Sequence, residues 1–479
     1  MSNQYQKIVA ALKRRKKGAT AADVCAATAL PLATVNDYLP KAADEYSGHL
    51  RVTASGEILY YFPDGFTSRY KGLGVFVRKA VNKISAFIKT ASVFLFKIWI
   101  VIMLIGYFII FLALAIGSVF LSVAAQSNNR NGRRNTSVNF GLFNILWRIW
   151  FYSELTRPRY NYERNYKMND IKKRPMHKAV FSFVFGEDDP NKDWDDRQYK
   201  AVITYIQAKK GVISLAEYMA FTGMNSLEAE TSILSFCSKF EGSPEVTEEG
   251  TIVYRFDKLL LRADSVKFGE LDPPIKRLKK FSDNTKTMNG WFAVINTVNL
   301  LFGSYFLYQS NAEQLITDIQ SKNVTLYAYT HYFLSQMTND PYIFIWAVLG
   351  LIPLLFSVLF WVIPIIRYFK ERKENNEIKL ENFKRLSFSK IYSSPNNIDI
   401  NIFSSSIPEC SPPNFESSAD RVIKDMGAVF NPQIEVSQDG KTKYLFTDLE
   451  TEKRALENYR NTIDTSRQKL GETVFDSNS

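Results

Sequence analysis

The chain of 479 residues has room for roughly two to four small domains, and its 23% charged and 14% aromatic residues exclude a disordered or low-complexity protein. Its formal net charge of +12 favours an anionic neighbour, either nucleic acid or a layer of lipid headgroups. Cys25, Cys237 and Cys410 stand alone, so neither a zinc ribbon nor a disulfide framework is predicted. The N-terminus is polar and basic and predicts no cleaved secretory signal.

Residues 1–64 predict three helices and a β-hairpin. Gly18 ends the first helix after a Lys-Lys pair that complements the helix dipole. Pro31 opens the third helix, and Pro40 is predicted to interrupt it. The buried face of the first helix follows from its helical spacing of apolar residues: Tyr5, Ile8, Val9 and Leu12.

The hairpin of this first segment has a sequence that returns twice. The three copies read VTASGEILYYFPD (52–64), VTEEGTIVYRFD (246–257) and VSQDGKTKYLFTD (436–448). Apolar and polar residues alternate on both sides of a glycine, which predicts a tight turn that needs positive φ. The predicted hairpin tips lie at Gly56, Gly250 and Gly440.

A first apolar run follows a basic linker (65–90). From Ile98 to Gln126 the chain has no charged residue, which exceeds the roughly 20 apolar residues that cross a bilayer. Basic residues flank both ends, so one simple crossing would place residues 1–90 opposite the rest. The alternatives are a re-entrant run or a further crossing at 140–152. Arg148 lies near the middle of that stretch and favours an interfacial helix, so the number of crossings stays open.

The second copy of the repeated segment begins with a helix whose apolar spacing matches the first copy. Gly211 ends this helix after another Lys-Lys pair, and two further helices fit before the hairpin. The third helix has apolar residues at helical spacing, so Cys237 is predicted to be a core residue rather than a reactive thiol. The apolar residues of these two helices are Tyr199, Val202, Ile203 and Ile206, then Ile233, Phe236, Cys237 and Phe240.

The order of three helices and a hairpin resembles a winged-helix module. The resemblance is closest at 196–256, where Gly223 falls in the turn between the second and third helices. A third copy is degenerate: a helix at 419–430 and the hairpin remain, but the irregular stretch 393–415 replaces the usual second helix. The resemblance implies an α+β fold of tandem winged-helix-like domains, each with three helices plus a β-hairpin, joined to a mainly α-helical transmembrane region.

Two later apolar runs, 291–308 and 342–366, are also long enough to span a bilayer. Asn296 and Asn299 in the earlier run are predicted to hydrogen-bond to another helix, and Pro353 and Pro364 are expected to kink the later one. Residues 310–341 between the runs have one basic residue, whereas both outer flanks are rich in Lys and Arg. The positive-inside rule therefore places 310–341 away from the cytoplasm.

Basic clusters next to the runs are candidate contacts for lipid headgroups, because each Lys or Arg near an anionic leaflet contributes about 1 kcal/mol. A basic stretch at 13–17 is predicted to be a solvated helix end. The candidate lipid contacts are Arg130, Arg133, Arg134, Lys276, Arg277, Lys279 and Lys280.

Nucleic acid is not an expected partner, although a winged helix raises that possibility. The third helix of a DNA-binding winged helix needs cationic residues against phosphate. Here the third helices are acidic, and the hairpin tips have no Arg for reading bases. The charged residues of the two helices are Asp37, Lys41, Asp44 and Glu45, then Glu228, Glu230 and Lys239.

The stretch FSFVFGEDDPN (181–191) resembles a little-characterised family of membrane proteins from bacteria and chloroplasts, and the resemblance covers mostly 180–260 and the following runs. Some members are described as iron–sulfur assembly proteins, but three lone cysteines offer no cluster site. The acidic residues between 187 and 196 are predicted to favour a helix N-terminus rather than to bind a metal. No P-loop, GxSxG, HExxH or GxGxxG motif is present, so neither an enzyme nor a cofactor is predicted.

The sequence therefore predicts a multi-pass protein of the cell (inner or cytoplasmic) membrane whose modules lie mainly in the cytoplasm. They would act as a scaffold for an unknown protein partner, through the acidic third helices or the hairpin tips. The alternatives are a membrane-tethered DNA-binding regulator and a small transporter or channel component. The predicted segments are modules at 1–64, 193–262 and 369–479, linkers at 65–90 and 263–289, a transmembrane or re-entrant segment at 91–126, a juxtamembrane segment with an interfacial helix at 127–192, transmembrane helices at 290–309 and 342–368, and the loop 310–341.

Overall fold

The computed structural model describes residues 3–15, 18–69, 73–127, 174–263, 271–312, 325–396, 398, 399, 403, 412, 414–436, 442–464 and 470–477. These residues form a mixed α+β protein that is mostly helical and has small antiparallel sheets. The chain divides into two compact units, each assembled from segments far apart in sequence. We call Met1–Lys79, Asp189–Lys279 and Lys373–Ser479 the module unit, and Ala80–Asp188 with Lys280–Arg372 the span unit.

The first segment has the predicted order of three helices and a hairpin. The apolar face of the first helix is buried as its spacing predicts. Thr20 and Asp23 form a capping box at the start of the second helix, which satisfies backbone donors there. The elements are α1 (Asn3–Lys13), α2 (Ala21–Thr28), α3 (Leu32–Glu45), β1 (His49–Thr53) and β2 (Ile58–Tyr61).

Pro40 does not interrupt α3, so that expectation was wrong. The helix continues through Pro40 to Glu45, and Pro31 is at its N-cap as predicted. A proline inside a helix removes one backbone hydrogen bond and crowds the preceding turn, at a cost of about 3 kcal/mol. Pro40 is exposed, whereas Leu39 and Ala42 are fully buried. Packing of the buried face therefore maintains the helix despite the proline.

The first apolar run is one continuous helix in three parts: α4 (Leu73–Val101), a π-helical segment (Ile102–Gly106) and α5 (Tyr107–Ser127). Its portion Phe87–Val123 is long and apolar enough to cross a membrane. The helix begins inside the segment predicted as a basic linker (65–90). The stretch predicted as an interfacial helix, 140–152, lies outside the described residues.

A short apolar helix, α6 (Met176–Phe185), belongs to the span unit. Its residues Val180 and Phe183 join Ile100, Phe292 and Phe360 in one buried cluster. The helix is too short to span a bilayer. It instead packs against parts of all three long apolar helices.

The second segment repeats the order of the first and adds a short strand before its second helix. The hairpin strands β4 and β5 pair antiparallel, and β3 pairs with the other edge of β5. Gly223 ends the second helix with φ +73°, in the turn predicted for it. The elements are α7 (Trp194–Ala208), β3 (Val212–Ser214), α8 (Leu215–Thr222), α9 (Ser226–Phe240), β4 (Ser243–Val246) and β5 (Ile252–Arg255).

The two later apolar runs are also helices long and apolar enough to cross a membrane, at Lys286–Asn311 and within Pro341–Ser393. Pro353 and Pro364 lie inside a continuous helix, and a π-helical segment ends two residues before Pro353. The loop predicted between the runs contains a helix of its own. The elements are α10 (Lys286–Asn311), α11 (Leu326–Ser335), α12 (Pro341–Phe344), the π-helical segment (Ile345–Leu351) and α13 (Ile352–Ser393).

The C-terminal segment has the predicted helix and hairpin, followed by a further helix and a strand. The last strand, β8, pairs antiparallel with β1 and so extends the N-terminal hairpin to three strands. An ion pair of 2.6 Å joins Arg51 on β1 to Asp476 on β8. The elements are α14 (Phe415–Phe430), β6 (Gln433–Val436), β7 (Thr442–Leu445), α15 (Thr447–Thr462) and β8 (Thr473–Asp476).

One hydrophobic core joins all three segments of the module unit. The N-terminal segment contributes Ile8 and Leu39, the second contributes Phe236, and the C-terminal segment contributes Phe388 and other fully buried side chains. Each fully buried side chain of this size contributes about 1.5–3 kcal/mol relative to exposure. The three segments therefore pack into one compact unit around a common core.

Two asparagines tie α10 to both other long apolar helices of the span unit, as their position in an apolar run predicts. Asn296 Nδ2 donates to the carbonyl oxygen of Ser357 at 3.0 Å, and Asn299 Nδ2 donates to that of Leu104 at 2.7 Å. Both side chains are fully buried. Hydrogen bonds of this kind stabilise helix association in a membrane by about 0.6–2 kcal/mol each.

Glycines allow close approach of α10 and the π-helical segment Ile345–Leu351. A Cβ atom on Gly303 would lie 3.1 Å from the backbone nitrogen of Leu354 and 3.3 Å from the carbonyl oxygen of Gly350. Small residues are common where membrane helices approach closely, because van der Waals packing drives their association. Gly290 on the same helix has open space around it.

We predict that Gly303→Leu destabilises the span unit, because a larger side chain must push two backbones apart at a cost of about 1–3 kcal/mol. Gly290→Leu is the matched control on the same helix and should leave stability unchanged or slightly raised. Thermal melting of the detergent-solubilised protein, followed by tryptophan fluorescence, measures both. Equal melting temperatures for the two variants would contradict the close approach.

Candidate functional site

The hairpin tips at Gly56 and Gly250 are open turns. Both glycines have positive φ, +80° and +85°, which accounts for glycine at these positions. Nothing lies within 4 Å of a Cβ built on either residue. The turn around Gly440 lies outside the described residues. The two described tips are thus exposed.

An exposed apolar pair lies beside the second tip. Val246 on β4 and Ile252 on β5 are directly opposite each other, and they are 67% and 53% exposed. The third hairpin has a similar surface, with Ile434 and Val436 exposed on the same face of β6. Exposed apolar side chains that cluster on a strand are a common feature of protein-interaction surfaces. The second and third hairpins therefore offer exposed apolar side chains for contact with another protein.

The third helices of the first two segments, α3 and α9, pack against each other within the module unit. Some acidic residues of these two helices make hydrogen bonds within the fold, and others are exposed. Glu45 is buried and accepts a hydrogen bond from Tyr5 at 2.6 Å, and Glu228 completes the capping box of α9 with Asn225. Asp37 and Glu230 remain exposed. Each helix thus has part of its surface covered by other helices of the module unit.

Two described cysteines belong to the core of the module unit. Burial raises the pKa of Cys25 to about 12 and that of Cys237 to about 11. Because the thiolate is the reactive form, both side chains are inert at neutral pH. The prediction that Cys237 is a core residue is confirmed, and Cys410 lies outside the described residues.

The basic stretch 276–279 is held by three asparagines. Each asparagine accepts from the backbone N–H of one basic residue at 2.8–2.9 Å and donates from Nδ2 to the carbonyl oxygen of the same residue at 2.7–2.8 Å. Each asparagine side chain thus makes the two backbone hydrogen bonds that a neighbouring β-strand would otherwise make with that residue. The pairs are Asn191 with Arg277, Asn375 with Lys279, and Asn382 with Lys276.

Two of the predicted lipid contacts in this stretch form ion pairs inside the fold. Lys279 lies 3.0 Å from carboxylates of Asp189 and Glu374, and Lys276 pairs with Glu381. Arg277 is exposed, and Lys280 is exposed beside Asp283 at 3.4 Å. Of the four predicted contacts in this stretch, only Arg277 and Lys280 have exposed side chains. Arg130, Arg133 and Arg134 lie outside the described residues.

Three of the six acidic residues between 187 and 196 pair with cations: Glu187 with Arg174, Asp189 with Lys279, and Asp196 with Lys7. A hydrogen bond from Arg174 lowers the pKa of Glu187 to about 2, and the Asn191 N–H lowers that of Asp189. Asp193 lies at the N-cap position of α7, as predicted, but its side chain makes no capping hydrogen bond. Among the described residues no group of three or more His, Cys, Asp or Glu forms a metal site.

Two buried arginines hold the second and C-terminal segments together, and sequence reasoning missed both. Arg385 on α13 donates to the carbonyl oxygens of Thr222 and Pro274 at 2.7 and 2.8 Å. Arg460 on α15 pairs with buried Glu217 and donates to the carbonyl oxygen of Val212 at 2.7 Å. Carbonyl oxygens around Arg385 and the carboxylate of Glu217 beside Arg460 compensate the cost of burying these two charges. A lone arginine in a charged helix gives no sequence signal of burial.

The chain is 27% identical over 392 residues to an uncharacterised chloroplastic protein of Arabidopsis thaliana, and the match covers 78% of this chain and 70% of that protein. No family model matches the chain. No solved structure matches it. The similarity is consistent with the resemblance to a little-characterised family from bacteria and chloroplasts, and it supplies no activity. The three apolar helices fit a membrane protein.

We predict that Asn375→Ala loosens the stretch around Lys279, because it removes both backbone hydrogen bonds of that residue. Asn376→Ala is the matched control, since Asn376 is the next residue and is exposed. Limited trypsin digestion measures the change, with cleavage after residues 276–280 at least about fivefold faster in Asn375→Ala if ~1 kcal/mol of local stability is lost. Equal cleavage rates in the two variants would exclude this role.

Proposed function

We propose that this protein is an integral membrane scaffold whose three modules of winged-helix type form one protein-interaction assembly on the cytoplasmic side. The observation that supports this best is the shared hydrophobic core of the module unit. Three long apolar helices alternate in sequence with the segments that meet in that core. Such an arrangement suits a protein that anchors an interaction surface at a membrane.

The shared core supports placing all three modules on the same side of the membrane. Segments that share a core cannot lie on opposite faces of a bilayer, because the core excludes lipid and water from between them. Lys7 of the N-terminal segment also pairs with Asp196 of the second at 2.6 Å, and Arg262 pairs with Asp23 at 3.1 Å. On this proposal the chain crosses the membrane an even number of times between residues 79 and 189.

The cytoplasmic side is supported by charge. Residues before α10 and after the apolar part of α13 are rich in Lys and Arg, whereas 310–341 has one basic residue. Lys and Arg near membrane-spanning helices favour the cytoplasm. The acidic surface of α3 and α9 and the absence of Arg at the described hairpin tips support a protein partner rather than nucleic acid.

We predict that Cys residues introduced at Ser55 and Glu249 face the same side. Both positions are exposed at hairpin tips, and Cys25 and Cys237 are buried, so Cys410→Ser provides the background. In sealed, right-side-out membranes both sites should resist an impermeant maleimide and react after permeabilisation. Labelling of Ser55→Cys alone would show that the modules lie on opposite faces of the membrane and would contradict the proposed scaffold. Labelling of both from outside would reverse the orientation.

We further predict that the apolar pair Val246 and Ile252 contacts the partner. A photocrosslinking amino acid at Glu248 should give one discrete adduct in intact membranes, and Val246→Asp with Ile252→Asp should weaken it about tenfold or more, as for an interface hot spot. The control is Ile275→Asp with Leu278→Asp, an exposed apolar pair that lies neither on a hairpin nor on a third helix. Adducts with lipid alone, or equal loss in both double variants, would contradict contact through the hairpin.

A further inference from the structure

The N-terminal and second segments of the module unit meet at a basic cleft of about 480 Å³. Lys7 on α1 and Arg14 and Arg15 just after it form one wall, and Lys200 on α7 faces them. Asp196 is the one carboxylate among the described lining residues. Four cations therefore surround a space of the size that small-molecule ligands occupy.

Arg15 is positioned by a buried acid. Its Nη1 lies 2.9 Å from Asp23 Oδ1, and the Asp23 side chain is fully buried. Asp23 is held in turn by Arg262, by the backbone N–H of Ala263 and by its capping box with Thr20. A guanidinium fixed along one edge keeps other N–H donors directed outward, which is the geometry that binds a phosphate through two bonds.

Two of the four cations have no acidic partner among the described residues. Lys7 and Asp196 form the ion pair that links the segments, and both side chains are partly exposed. Arg14 is exposed and Lys200 is half-buried, and neither side chain has an ion pair in the part of the chain that the structure describes. The cleft therefore has a surplus of positive charge that its own carboxylate does not neutralise.

Helix dipoles do not account for this surplus. Arg14 and Arg15 follow the C-terminus of α1, where cations are favourable, but Lys200 lies within α7. Cations from separate segments repel each other across a cleft unless an anion lies between them. The wall also includes Ala10, Ala11 and Ala27, whose small side chains leave the space open.

We propose that this cleft binds a phosphate-bearing ligand, a phosphomonoester or a diphosphate. Arg15 and Arg14 supply planar donors for phosphate oxygens, and Lys7 and Lys200 supply point charges from the two segments. A ligand held this way bridges the N-terminal and second segments and stabilises their contact. The phosphate belongs either to a lipid headgroup or to a free compound. This inference uses none of the hairpin surfaces and does not depend on the proposed scaffold role.

The test uses the full chain in neutral detergent with two probes, pyrophosphate and dioctanoyl phosphatidic acid, and isothermal titration as the measurement. Arg14→Ala with Lys200→Ala should weaken binding about tenfold or more, because the variant loses two charged hydrogen bonds to the phosphate. Lys192→Ala with Lys424→Ala is the control, since it removes the same charge from exposed sites outside the cleft. Binding of pyrophosphate identifies a free ligand, and binding of phosphatidic acid alone identifies a headgroup.

A second pair of variants separates charge from shape. Ala10 is exposed in the wall of the cleft, so Ala10→Glu should abolish binding while Ala10→Gln, of equal size, should retain it. Circular dichroism confirms that both variants stay folded. The proposal is overturned if neither probe binds, if the control pair loses as much affinity as Arg14→Ala with Lys200→Ala, or if Ala10→Gln and Ala10→Glu bind equally.

Discussion

The common core of the module unit is the constraint on which the rest of this structure depends. Its side chains come from three parts of the chain, and apolar helices long enough to cross a membrane separate those parts in sequence. Burying Ile8, Phe236 and Phe388 together requires these parts to return to one place. The hydrophobic effect acts on area regardless of sequence distance, so the closure entropy of long intervening segments is outweighed.

Polar contacts fix how the segments of the module unit fit together once the core has formed. Arg385 and Arg460 are buried beside carbonyl oxygens and Glu217, where an unpaired partner would be costly. Asn375 and Asn382 lie two helical turns apart on α13 and hold one strand-like stretch by its backbone. These contacts are specific in geometry, whereas apolar burial alone tolerates many arrangements.

The net charge of +12 is distributed among several environments. Lys276 and Lys279 neutralise carboxylates within the fold, whereas Arg277 and Lys280 remain exposed. Arg14 and Lys200 face a cleft. A basic composition therefore indicates an anionic partner only after the internal ion pairs are known. Part of the charge that suggests a lipid surface is used to hold the linker stretch in place.

The sequence by itself determined the local elements. Period-2 alternation around Gly56 and Gly250 predicted the hairpins, apolar spacing predicted the buried faces of α1 and α9, and uniform apolarity predicted the long helices. The prediction that Pro40 interrupts α3 was wrong, because burial of the opposite helix face outweighed the low helix propensity of proline. Only tertiary structure decided that three segments share one core, that Asn191 pairs with a backbone far along the chain, and that Lys7 and Lys200 face the same cleft. These contacts join residues far apart in sequence, and no local periodicity encodes which distant residues will meet.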